Sequence, residues 1–151
     1  MTKDARDSIR LIIDKFIFEF PEALRYSETG LWMRQEDELV RFGLSDFAQQ
    51  RNGDIAFVTL APRGSILDAG DEIASIETVK VNVSLASPMK GIIAEINSLL
   101  QDFPELINQD PYGRGWMGLL RVEESHQVLG KLLDAEAYSR LARQQAEAEQ
   151  K

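Results

Sequence analysis

From Gly30 to Ile96 the chain is a series of short β-rich runs separated by turn formers, at Asn52-Gly53-Asp54, Pro62-Arg63-Gly64, Ala69-Gly70-Asp71 and Met89-Lys90-Gly91. Glycine adopts backbone angles that other residues resist and proline removes a ladder donor, so each cluster ends one extended segment and begins another. Repeated short strands at this spacing predict a mainly β fold, a sandwich or flattened barrel. Within the runs Ile55, Phe57, Ile73, Ile76, Val81, Val83, Ile92, Ile93 and Ile96 are expected to point inward. Asp54, Glu72, Glu77 and Glu95 are expected to face water.

The flanks read as helices. Ile9, Ile12, Ile13, Phe16 and Ile17 recur at helical spacing behind a cap at Asp7 or Ser8, and Pro21 ends the run. Residues 1–20 are therefore expected to form an amphipathic helical extension whose apolar face packs on the domain, with contact to a partner as the alternative. Short helices are expected near Asn97 to Leu100 and from Pro104, where a first-turn proline is tolerated. Glu124 to Arg143 reads as a longer helix with Val128, Leu132, Leu133, Tyr138 and Leu141 as its apolar stripe. Residues 21–143 then form one domain, and residues 144–151 a polar tail expected to fray.

With 151 residues, 44% of them hydrophobic, the chain has enough apolar mass for one core and too little for two. No apolar run approaches the roughly 18 residues of a membrane-crossing helix, and no basic-then-apolar leader is visible, so a cytoplasmic protein with no membrane partner is expected. The absence of cysteine excludes disulfides and thiolate metal sites. A net charge of -8 repels phosphate backbones, so no nucleic-acid partner is expected, while basic patches on other proteins would attract it.

One lysine stands out. In Ser75-Ile76-Glu77-Thr78-Val79-Lys80-Val81-Asn82, Lys80 lies between two β-branched residues in an expected hairpin. Its ε-amine is a flexible nucleophile, and acylation removes its charge and makes it the root of a long arm. Other motifs carry less. Gly113-Arg114-Gly115-Trp116-Met117-Gly118 fits a dinucleotide pattern, but the strand-like Leu119-Leu120-Arg121-Val122 follows where a helix should start. Met89-Lys90 lacks the second methionine of a biotinylation site, and Lys90 reads as a turn residue. His126, the sole histidine, stands beside Glu123 and Glu124 and reads as a solvated or capping residue, since a metal site needs several convergent ligands. No catalytic constellation and no metal site is expected.

In order and spacing, Ala23-Leu24-Arg25-Tyr26, Leu31-Trp32-Met33-Arg34, Gly43-Leu44-Ser45-Asp46-Phe47-Ala48-Gln49, Gly53-Asp54-Ile55-Ala56-Phe57-Val58, Gly70-Asp71-Glu72, the Lys80 segment, Pro104-Glu105-Leu106-Ile107-Asn108, Asp110-Pro111-Tyr112-Gly113-Arg114-Gly115-Trp116 and Leu133-Asp134-Ala135-Glu136-Ala137-Tyr138 resemble the H protein of the glycine cleavage system. The resemblance spans about residues 21 to 141. It implies a lipoyl/biotinyl-type flattened β-barrel (barrel-sandwich hybrid) with N-terminal and C-terminal helices, and a carrier protein rather than an enzyme. It further implies lipoic acid in amide linkage to Lys80, with Glu77, Thr78, Val79 and Val81 read by a lipoate-protein ligase or lipoyl transferase. Dihydrolipoamide dehydrogenase and the glycine cleavage enzymes are the implied partners.

The departures from that pattern point elsewhere. H proteins usually carry His-Glu before the tryptophan and Ser-Asp after the lipoyl lysine, and those acids help hold a cationic aminomethyl cargo. Here the positions read Gly30-Leu31 and Val83-Ser84. With Leu31 and Ser84 in the arm cleft, the chain is expected to resemble more closely the lipoate-binding proteins of sulfur-oxidising prokaryotes, carrying sulfur intermediates for a heterodisulfide-reductase-like complex. The alternatives are a glycine-cleavage H protein and a non-lipoylated interaction module of the same fold.

Overall fold

The computed structural model describes residues 7–149. A six-stranded antiparallel sheet runs in the order β3 (Arg25–Tyr26), β4 (Leu31–Glu36), β5 (Leu39–Leu44), β11 (Gly118–Arg121), β10 (Gly91–Ile96) and β7 (Ile66–Leu67). A second antiparallel sheet has the order β6 (Ile55–Leu60), β8 (Glu72–Thr78) and β9 (Asn82–Ala86). Leu31, Met33, Val40 and Phe42 of the first sheet share one buried cluster with Ile73, Ile76 and Leu85 of the second. This is the mainly β flattened barrel that the turn spacing predicts.

Strand β4 is buried on both faces. Leu31 and Met33 enter the central cluster, whereas Trp32 enters a second one with Phe20, Tyr26, Phe47 and Tyr138. An unbroken apolar run suits such a strand. Opposite Trp32 stands Gly43, where an added Cβ would come within 2.6 Å of the indole nitrogen, so the ring needs a partner without a side chain.

Three expected inward residues face solvent: Phe57, Val81 and Ile92. The β6–β8 register shifts between Ile55 and Phe57, and such a bulge moves the alternation by one residue, turning Val58 inward and Phe57 outward. Ile92 adjoins buried Ile93 on one strand, so the two must point to opposite faces, and Val81 lies in the turn. Ile55, Ile73, Ile76 and Ile93 are buried as expected.

The expected N-terminal helix is instead a hairpin, β1 (Ser8–Ile13) and β2 (Phe16–Pro21), closed by Asp14-Lys15 with Asp14 at φ 55°. Residues 1–6 of that expectation lie outside the described residues. The apolar positions suit a period of 2 as well as 3.6, and the β-branched and aromatic content favours strands. Pairing places Leu11, Phe18 and Phe20 on one face, in the cluster of Phe47 and Tyr138, a row that a helix would have dispersed.

The C-terminal helix is two helices, α3 (Ser125–Gly130) and α4 (Ala135–Glu149). Between them Leu133 leaves helical geometry to bridge Tyr26, with N–O distances of 2.8 and 3.0 Å. Asp134 restarts the helix by accepting the Ala137 amide at 2.8 Å. The tail expected to fray is helical as far as Glu149, held by the contact of Glu149 with Arg51 and by Gln145, whose side-chain oxygen accepts from Arg51 Nη1 at 2.9 Å. Arg51 sits in α1 (Asp46–Asn52), which Ser45 caps by accepting the Ala48 amide at 3.1 Å. A 3-10 turn at Ser98–Gln101 and helix α2 (Leu106–Gln109) fall where short helices were expected. No described helix is long and apolar enough to cross a membrane.

Candidate functional site

Lys80 stands at the tip of the β8–β9 hairpin, exposed beside Val79, which is 95% exposed. The Thr78 amide donates to the Val81 carbonyl at 2.9 Å and closes the turn. The Thr78 hydroxyl oxygen accepts the amides of Lys80 at 3.2 Å and Val81 at 3.1 Å. Both turn amides are thereby satisfied without the lysine side chain, whose amine projects from an ordered base. Strand β8 is the middle strand of its sheet, paired with β6 and β9, which fixes the hairpin root. Glu77 is exposed on β8 with Phe57 and Asn82 as cross-strand neighbours. The hairpin thus gathers Glu77, Thr78, Val79 and Val81 around Lys80. An exposed amine on a braced turn fits a covalently attached arm.

Leu31 and Ser84 are not brought together as a cleft pair. Leu31 is fully buried in the central core, its amide donating to Ser27 Oγ at 3.0 Å. With no exposed surface, its side chain lines no cleft, so its assignment to the arm cleft is corrected. Ser84 is exposed on β9 and donates to the Glu72 carboxylate at 2.6 Å, so a carboxylate does stand at this position, delivered across the strands.

Beside the hairpin lies a cavity of about 260 Å³ between the loop before β4, α1, β9 and α4. Glu28, Thr29, Arg51, Asn52, Val83 and Tyr138 are among its lining residues. Val83 follows Lys80 by three residues, so no more than about 11 Å of chain separates this wall from the lysine. Glu28 is exposed and has no hydrogen-bond or ion-pair partner among the described residues. Arg51, by contrast, is committed to Glu149 and Gln145 and stacks on Phe47 at 5.1 Å. The buried Tyr138 hydroxyl lies 2.8 Å from Ser45 Oγ, and burial pushes its pKa up to about 12. Sequence reasoning passed over Glu28. Its signal was a carboxylate three positions before Leu31, in a turn where the Gly30 amide donates to the Ser27 carbonyl at 3.1 Å and Gly30 takes φ 103°.

The other motifs have structural roles. The Asp110–Met117 segment is a turn feeding β11, in which the Asp110 carboxylate accepts the Arg114 amide at 2.8 Å. Asn97 donates to the carbonyls of Arg114 and Trp116 at 2.9 and 2.8 Å. Asn108 ties α2 to α1 and β6, donating to Gln49 and Gly53 and accepting the Ile55 amide at 2.9 Å. His126 and Lys90 are exposed.

The family model for the glycine cleavage H-protein matches residues 24–145. The glycine cleavage system H protein of Coxiella burnetii (strain Dugway 5J108-111) is 42% identical over 124 residues, 82% of this chain and 95% of that protein. The corresponding protein of Bacteroides thetaiotaomicron is 40% identical over 119 residues, 79% of this chain and 94% of that protein. The crystal structure of a glycine cleavage system H protein from Mycobacterium marinum matches with a TM-score of 0.72 at 30% identity, covering 80% of this chain and 96% of that one. These relatives favour glycine cleavage over the sulfur-oxidation branch, which finds no support among them. The chain belongs to the glycine cleavage H-protein family, whose members are carrier proteins rather than enzymes and hold lipoic acid covalently on a lysine.

Proposed function

We propose that Lys80 is the lipoylated lysine and that the protein carries the aminomethyl group between the enzymes of glycine cleavage. The observation that carries this reading is the placement of an exposed lysine on a braced hairpin next to a cavity that Glu28 borders with an unpartnered carboxylate. Lipoic acid supplies the dithiol chemistry that a chain without cysteine lacks. The protein's own residues do the rest. Thr78 orders the turn, and Glu77, Val79 and Val81 present a face for a lipoate-protein ligase or lipoyl transferase. Glu28 offers the negative charge that a cationic amine needs when it leaves bulk water, from the cavity wall three residues before Leu31. Dihydrolipoamide dehydrogenase is the partner that restores the disulfide form, and tethering keeps the cargo at high effective concentration near each partner.

A second reading, a sulfur carrier for a heterodisulfide-reductase-like complex, rests on the absence of acids at Leu31 and Ser84, where H proteins usually carry them. The experiment compares lipoylated protein with an authentic H protein in a glycine decarboxylation assay with the pyridoxal-phosphate enzyme. The reduced protein is then incubated with thiosulfate and weighed intact. Amine loading at a comparable rate is expected. Failure to load, together with a sulfur adduct that Lys80→Arg abolishes, would move the protein to the sulfur reading.

A further inference from the structure

We propose that the β1–β2 hairpin is a self-association surface, β1 pairing antiparallel with β1 of a second copy about a two-fold axis through Ile12. The hairpin lies before residue 24, where the family match begins, so it is an addition to the carrier domain. Its inner face is already used, with Leu11, Phe18 and Phe20 buried. The outer edge of β2 is used as well. Gln50 Nε2 donates to the Ile17 carbonyl at 3.0 Å, the Glu19 amide donates to Asp46 Oδ2 at 2.9 Å, and the Tyr112 hydroxyl donates to the Glu19 carbonyl at 2.6 Å.

Those three bonds fix which backbone groups face which way. Ile17 and Glu19 point their amides and carbonyls away from β1, so their cross-strand partners Ile12 and Arg10 point theirs away from β2, to the outer edge of β1. No hydrogen bond from another described residue reaches the backbone of Arg10 or Ile12 on that edge. Around it Ile12 is 63% exposed and its partner Ile17 46%. An unpaired edge flanked by apolar side chains is a template for strand addition, and from Ser8 to Ile13 the strand carries no bulge, proline or lysine to blunt it.

Charge and shape select the occupant and the register. Edge residues must face edge residues, so the two-fold axis passes through Arg10, Leu11 or Ile12. Through Arg10, like charges oppose directly, which is unfavourable. Through Leu11, Arg10 faces Ile12 of the second copy, and neither finds its complement. Through Ile12, the outer face becomes an unbroken row of Ile17, Ile12 and the same two residues of the second copy, and the two Arg10 side chains stand apart instead of opposite each other. The Arg10–Glu19 ion pair at 3.4 Å remains intact at each side of the row. The contact is isologous and therefore closes as a dimer.

The absence of cysteine makes the test direct, because an Ile12→Cys variant has only its own copy to bond with. A hydrogen-bonded antiparallel pair places Cα atoms about 5.5 Å apart, within disulfide reach. Mild oxidation is expected to convert Ile12→Cys to a covalent dimer rapidly, while Ser8→Cys, at the far end of the same strand, stays monomeric. Sedimentation of the unmodified protein is expected to show a concentration-dependent dimer that Ile12→Lys abolishes and Ile12→Val retains. Ile12→Thr, β-branched and polar, serves where the lysine variant melts early, and is expected to weaken the dimer at an unchanged melting temperature. A wild type that is monomeric up to its solubility limit would overturn the proposal. So would equal cross-linking of the two cysteine variants, or a dimer indifferent to Ile12→Lys and Ile12→Thr. None of these readouts involves Lys80, so the outcome is independent of the carrier reading.

Discussion

The Thr78 hydroxyl oxygen accepts the Lys80 amide at 3.2 Å, so the side chain that orders the turn sits two positions before the lysine the turn presents. Thr78→Val keeps the β-branched shape and removes both acceptor contacts. Each net hydrogen bond is worth about 0.5 to 1.5 kcal/mol, and exposure puts this turn at the low end. The expected result is a small loss of melting temperature with a clear slowing of lipoylation by a ligase, and recovery in Thr78→Ser. Unchanged modification kinetics in Thr78→Val would show that the amine alone is read.

Lys80→Arg is expected to fold normally and to gain no lipoyl mass, whereas Lys90→Arg, altered in a turn on another edge, is expected to be modified like the wild type. Glu77→Ala should slow modification while leaving the melting curve nearly in place, since exposed single-charge changes usually alter stability by no more than about 0.5 kcal/mol. Intact-mass time courses read all three. A lipoyl group on the Lys80→Arg protein would remove the attachment site from this hairpin.

Glu28 and Leu31 make opposite predictions. Restoring an acid at position 31 by Leu31→Glu would place a carboxylate in a fully buried site of the central core, without a partner. Such a change is expected to cost several kcal/mol and to unfold the domain rather than improve amine loading. Glu28→Gln keeps the size of an exposed side chain and removes its charge. It is expected to leave stability and lipoylation alone and to lower the loading of the aminomethyl cargo in the decarboxylation assay, with Glu28→Asp intermediate. Loading unaffected by Glu28→Gln would show that the cavity holds no cationic cargo.

The barrel was legible in the sequence because alternation and turn formers are local signals, and so was the hairpin that presents Lys80, because the residues around it form a strand–turn–strand pattern. The N-terminal hairpin was not. Ile9, Ile12, Ile13, Phe16 and Ile17 suit a helix, while Leu11, Phe18 and Phe20 suit a strand, and what decides between them is burial against Phe47 and Tyr138, about 30 and 120 residues away. Leu31 was misplaced for a related reason. A position next to Trp32 on a strand buried on both faces belongs to the inner or the outer cluster according to parity alone, which the turn at Gly30 sets. The break at Leu133 likewise depends on its bridge to Tyr26, a contact no local window contains.

Glu36 offers a pH test of the β4–β5 hairpin. Its carboxylate receives Arg41, through Nε and through Nη2 at 2.9 Å, and Arg34 Nη2 at 2.7 Å. Hydrogen bonding from Arg41, chiefly, lowers its pKa from 4.5 to about 2. A carboxylate held below its unfolded value stabilises the fold fully above about pH 4.5, and that contribution is lost as pH falls toward 2. Since the Glu36 side chain is 32% exposed, solvent and salt screen part of the effect. Glu36→Gln is expected to lower the urea midpoint at neutral pH and to flatten its decline between pH 4.5 and 2, the two proteins converging at the acid end. Raising the salt concentration should narrow the gap at neutral pH. Parallel curves over the whole range would mean that the arginines bind Glu36 no better folded than unfolded, and that Arg41 is held by its stacking on Trp116 at 4.3 Å instead.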